Sequence, residues 1–184
     1  MTKLPSIMDY TVQENKIVGE YKEYLHTPLF DVNVRLYSSS RQYRWVVNES
    51  LNYLDSMFLR EFSDYPEIKG VSGANLGIPF NIISVRLRDD SILSMINPKI
   101  LERSKKTKTV ESNCGSLVLD KPVKVTRNTE IKIEYCTEAS CYESGKLMRV
   151  ERRFKDSEAF TIQHEIDHNN GITILDMAAW SGDD

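Results

Sequence analysis

The sequence predicts an α+β fold in which antiparallel β-sheets surround one central α-helix, with a separate amphipathic helix nearer the N-terminus. Three observations predict it. Val47, Leu51, Leu54 and Phe58 recur at intervals of four, three and four, the apolar stripe of a helix packed on a core. From Ile83 to Phe154 the chain shows short runs of period two instead, the mark of strands. After Phe154, a stripe of Ala159, Ile162 and Ile166 is backed by a face carrying Phe160, Thr161, His164 and His168. A helix with something to bury on both sides suits the middle of the molecule better than its surface.

Residues 1–40 show no sustained period and predict no element, but Ser38, Ser39 and Ser40 mark a boundary before the amphipathic helix, expected from about Arg44 to Phe62. Beyond Tyr65 and Pro66 comes GVSGANLGIP, residues 70–79, where glycines permit close backbone approaches. In NIISVRL, Ile83, Val85 and Leu87 alternate with Ser84 and Arg86 and predict a half-buried strand. ILSMI follows an Asp89-Asp90 turn, so the two should form a hairpin. Further strands are expected at Val123 to Arg127, in EIKIEYC and around KLMRVERRF. Asp156, Ser157 and Glu158 suit the start of the last helix, and Gly171 stops it after about fourteen residues. No repeat, low-complexity tract or linker divides the chain, so residues 1–184 are read as a single domain.

Composition excludes several functions. The 184 residues are 40% hydrophobic and 28% charged, enough for one compact core. Lys and Arg total 24 against 27 Asp and Glu, a formal charge of −3. Such a balance makes no field that gathers nucleic acid or anionic lipid. No stretch approaches the roughly 20 apolar residues that cross a bilayer, and MTKLPSIMDY lacks the apolar core of a signal peptide. The chain is expected inside the cell, in the cytoplasm or another reducing compartment. Cys114, Cys136 and Cys141 are odd in number, so in a reducing compartment at least one should be a thiol or a metal thiolate.

QHEIDHNNG, residues 163–171, places His164 and His168 four apart on one helical face with Glu165 beside them. Two imidazoles at that spacing can share an ion. The short motif also occurs on plain solvated helices, so the third ligand decides. The downstream routes are poor: the residue six past His168 is Ile174, and the chain after Gly171 offers Asp176 but no glutamate. Upstream, Cys114 lies among small polar residues in VESNCGSLVL. One Cys and two His leave a fourth position open, as a catalytic metal site requires. Cys136 and Cys141 read as ordinary thiols and His26 as a surface residue.

Three segments, GVSGANLGIP, ESNCGSL and QHEIDHNNG, taken in this order and supported by MINPKI at 95–100, resemble the peptide deformylases over roughly residues 45–175. The resemblance implies a hydrolase that removes the N-formyl group from the N-terminal methionine of new polypeptides. It implies one divalent metal on Cys114, His164 and His168: iron(II) in the cell, with zinc or nickel as substitutes. Glu165 is then the general base and acid, while the Asn75 amide and the Gly115 N–H face the developing oxyanion. Val71, Ser72, Phe160 and Thr161 are expected to bind the substrate, with Val71, Phe160 and Thr161 lining a methionine pocket. The sequence departs from the family pattern twice. Asn75 stands where a glutamine is usual, and the glutamate-glycine-cysteine-leucine-serine motif becomes Glu111, Ser112, Asn113, Cys114, Gly115 and Ser116. Two other classes therefore stay open: a related metallo-amidase or peptidase, and a weakly active member that binds formyl peptides. Some members dock on the ribosome through a long basic C-terminal helix; WSGDD offers none, so that contact is not expected.

Overall fold

A computed structural model describes residues 29–60, 62–114, 121–138 and 145–181. Helix α1, Val34–Ser39, is capped by the Asn33 side chain, which accepts from the Leu36 N–H. Ser40 ends α1 and caps α2, Arg41–Leu59, by accepting from the Tyr43 N–H. The serine boundary thus separates two helices, and α1 itself is too short for a periodic signal to reveal it. Strands β1 (Gly70–Ser72), β2 (Ile82–Arg86), β3 (Ile92–Arg103), β6 (Glu130–Glu138) and β7 (Leu147–Lys155) form an antiparallel sheet in that order. Strands β4 (Thr107–Ser112) and β5 (Val123–Asn128) form a separate two-stranded ribbon. Helices α3, Asp156–Asn169, and α4, Ile174–Ser181, complete the chain.

The period-two rule explains why α2 and α3 lie on opposite faces of the sheet. On β2, Ile82 packs with Val47, Leu54 and Phe58 of α2, while Ile83 and Val85 pack with Ala159, Ile162 and Ile166 of α3. Strand β2 is therefore buried on both faces rather than half-buried. Ser84 is fully buried, and its hydroxyl donates to Asp55 of α2 at 2.6 Å, as does that of Ser94. Its polar residues face the second helix, not water.

Two other expectations are corrected. The start of α3 makes no side-chain cap; Lys155 occupies that position, and Asp156 has φ 51°. The carboxylates of Asp156 and Glu158 turn instead to Arg88, accepting from its guanidinium at 3.4 Å and its backbone N–H at 3.0 Å. Strand β3 runs well beyond ILSMI, through Pro98 to Arg103. Register shifts between Ile96 and Lys99 and between Ile100 and Glu102 let it do so, because a bulge accommodates the residue that proline leaves unpaired. His26, Cys141 and most of residues 1–40 lie outside the described residues.

Candidate metal centre

Helix α3 is positioned by polar side chains at its middle and its C-terminal end. Gln163 donates to the carbonyls of Asn128 and Ala159, both at 2.9 Å, and accepts from the Asn128 N–H at 3.2 Å. That bolts the middle of α3 to the end of β5. Asn169 donates to Asn81 and to the Ile82 carbonyl, both at 3.0 Å, and accepts from the Ala74 N–H at 3.4 Å. The last contact fixes the 3-10 turn Ala74–Leu76, which carries Asn75. Gly171, with φ 76°, then ends the helix.

On the face between these anchors, His168 Nε2 lies 3.0 Å from His164 Nε2 and 3.3 Å from the Cys114 sulfur. All three donor atoms fall within 4.8 Å of one another. Four-coordinate zinc, with N at about 2.0–2.1 Å and S at about 2.3 Å, sets its donors roughly 3.3–3.6 Å apart. The two measured edges are close to that frame, so the residues fit a divalent ion. Burial pushes the His164 imidazole well below its usual pKa, helped by His168 and Arg127. Burial, then Arg127, takes His168 down to about 4. Both rings are thus held neutral, the form that binds metal.

Glu165 is 4% exposed, and its Oε2 has no hydrogen-bond partner among the described residues. Burial pushes its carboxyl up to about 8, against the pull of the Arg127 charge. A cation beside it would oppose that rise. Gly70 makes the packing possible: a Cβ there would meet Glu165 Oε1 at 2.5 Å, so any larger residue would displace the carboxyl.

Arg127 of β5, 4% exposed at its side chain, pairs with Asp167, 14% exposed, one residue from His168. The carboxyl of Asp167 is raised by burial and held down by that guanidinium. This buried pair ties the ribbon leading to Cys114 against the helix carrying the histidines. Val125 and Ile174 pack with Cys114 behind it. Asp176 takes no part; its Oδ2 accepts from the Thr173 N–H and hydroxyl at 2.8 Å, fixing the start of α4.

Cys114, His164, His168, Glu165, Asn75, Val71, Phe160 and Thr161 all line one cavity of about 780 Å3. Ser72 does not line it; the residue is fully buried behind Asn75. Gly115 lies outside the described residues. Sequence reasoning missed Arg127, Gln163 and Asn169. The only signal for them was their polarity at positions where the strand and helix patterns call for burial. Cys136 is a buried free thiol, its pKa raised mainly by burial.

An antiparallel α+β fold wrapped around a helix whose two imidazoles and buried carboxyl meet a thiol from the segment after β4 defines a hydrolase of the metal-dependent kind. The polypeptide deformylase family model matches residues 30–182, and the chain belongs to that family of enzymes. A peptide deformylase from Oceanobacillus iheyensis is 28% identical over 146 residues, 74% of this chain and 76% of that protein. A class I type b peptide deformylase from Acinetobacter baumannii has a structure similar at TM-score 0.64 and 25% identity, over 83% of this chain and 91% of that one. A structure of the A. baumannii enzyme with Met-Ala-Ser bound shares the fold at TM-score 0.65 and 21% identity, over 84% and 92% of the two chains. No helix among the described residues is long and apolar enough to cross a membrane.

Proposed function

We propose that this chain hydrolyses the formamide of N-formyl-methionyl peptides, the ends of newly made polypeptides, in the cavity where Cys114, His164 and His168 meet. The observation that carries the reading is the Cys-His-His cluster within 4.8 Å beside a buried carboxyl with an unpartnered oxygen. Cys114, His164 and His168 would hold a divalent ion, which would supply an acidified water and positive charge near the formyl oxygen. A thiolate with two imidazoles suits iron(II) or zinc, and the family resemblance favours iron(II) in the cell, with zinc or nickel as substitutes. The reaction belongs to the cytoplasm or to another reducing compartment where translation starts on formyl-methionine.

Glu165 takes a proton from the attacking water and hands it to the leaving amine nitrogen. The Asn75 amide donates to the oxygen as it becomes negative, with the Gly115 N–H as a second donor; each such donor is worth roughly 3 kcal/mol. Val71, Phe160 and Thr161, which share the cavity wall, hold the methionine side chain. The Met-Ala-Ser bound by the A. baumannii neighbour is the kind of peptide this reaction would release. One feature favours weaker turnover with retained peptide binding: Asn75 is a methylene shorter than the usual glutamine.

Formate release from formyl-Met-Ala-Ser, with protein purified without oxygen, tests the reading. Turnover that collapses in Glu165→Ala is expected. Cleavage of an unformylated peptide would assign a peptidase instead, and tight metal and peptide binding without formate would assign a binding protein.

A further inference from the structure

Asn75 has a short side chain whose terminal torsion is broad and roughly two-fold. An amide that turns over presents its acceptor oxygen where a donor is needed. In this structure Asn75 Oδ1 lies 2.7 Å from the Ser72 backbone N and 2.7 Å from the Ser72 hydroxyl. A backbone N–H can only donate, so the atom facing it must be the oxygen, and the orientation of the amide follows without choice. The Asn75 backbone N–H returns to the Ser72 hydroxyl at 3.4 Å, closing a small ring. Ser72 is 0% exposed and lies off the cavity wall that Asn75 lines.

We infer that Ser72 is a positioning residue that fixes the Asn75 amide with its oxygen turned inward and its N–H end turned toward the reacting formyl oxygen. Two bonds from one residue hold the oxygen in place, the hydroxyl's adding to the backbone N–H's. The flipped amide is costly because it would set the NH2 against that backbone N–H, which cannot accept. The inference rests on Asn75 acting as an oxyanion donor, and it replaces direct substrate contact as the role of Ser72. The Ser72 hydroxyl also acts to lower the Glu165 pKa, against the rise that burial causes, so the test must separate the two partners.

The test is a double-mutant cycle on formate release, with Ser72→Ala, Asn75→Ala and the pair measured on protein of equal metal content. Asn75→Ala is expected to lower kcat roughly 10²-fold or more. Ser72→Ala is expected to lower kcat roughly ten- to a hundredfold with KM nearly unchanged, and to have no further effect once Asn75 is alanine. Equal losses in both backgrounds, with a displaced pH profile, would assign Ser72 to Glu165 and overturn the inference. A Ser72→Ala protein with unchanged kcat also overturns it. An Asn75→Ala protein that keeps full kcat removes the donor reading of Asn75 and this inference together, while leaving the deformylase reading to the Glu165 result. Thermal midpoints of the variants exclude a trivial loss of folding, because a merely structural role would move the midpoint rather than the split between kcat and KM.

Discussion

Helix α3 buries polar side chains toward two regions of the molecule, and their hydrogen-bond accounts differ. Gln163 and Asn169, turned to the strand ends and the 3-10 turn, have both their oxygen and their nitrogen engaged by named backbone groups. Glu165 and His168, turned to the cavity, each keep a buried atom, Oε2 and Nδ1, without a partner among the described residues. Buried polar atoms are nearly always paired, so an unpaired one needs a reason. The first region spends its polarity on holding the helix still. In the second, Glu165 Oε2 is left to meet a reacting water, while His168 turns Nε2, not its unpaired Nδ1, to the ion.

Substitutions can break that contrast from either side. The largest effect on activity is expected from Glu165→Gln, an isosteric change that keeps the packing against Gly70 but removes the proton carrier. Turnover should fall roughly 10³-fold, read by formate release, while the thermal midpoint stays put. Arg127→Ala leaves Asp167 buried and unpaired beside His168, and should cost about 3–5 kcal/mol in chemical denaturation. Its metal affinity should fall as well, because the ribbon bearing Cys114 loses its tie to α3. Gln163→Leu strands the Asn128 N–H and carbonyl and should cost about 2 kcal/mol; folded protein that remains should turn over at close to the parent rate. A large loss of kcat in this variant at unchanged metal content would erase the distinction between the two regions. Smallest of all is Glu102→Gln in the exposed ladder of Lys132, Glu151 and Arg153. Solvent screens those pairs, and the midpoint should not move measurably.

Much of the fold was legible because α3, α2 and β6 carry strong patterns. Ile131, Ile133 and Tyr135 alternate on β6 as a buried face demands, and of the α2 stripe Val47, Leu54 and Phe58 are buried and Leu51 partly so. Strand β4 gave no such signal: in Thr107–Ser112 no residue is fully buried, since the ribbon covers little apolar surface. Neither did β3 past Asn97, where a φ of 53° and a proline interrupt the pattern. Asn97 there holds the incoming chain, accepting from the Val32 N–H at 2.7 Å and donating to its carbonyl at 2.9 Å.

At the site, His164, Glu165 and His168 are readable from one turn of helix, whereas Cys114 requires the three ordered segments taken together. Arg127, Gln163 and Asn169 are not readable, because a polar residue that pairs with a distant backbone group, or in the case of Arg127 with a distant carboxylate, looks, in one dimension, like any other. Ser72 was assigned to the substrate from its neighbours in the glycine-rich segment. Its backbone and side chain both turn to Asn75, three residues on, a geometry that depends on the 3-10 turn between them.

The central claim is that one sulfur and two imidazoles from distant parts of the chain share a single ion. Metal analysis of the protein alongside Cys114→Ala, with the cobalt(II)-loaded forms compared by absorption, tests it most directly. One ion per chain and a sulfur-to-cobalt charge-transfer band that vanishes in Cys114→Ala are predicted. A protein without stoichiometric metal, or one whose ion and spectrum survive the loss of Cys114, would contradict it.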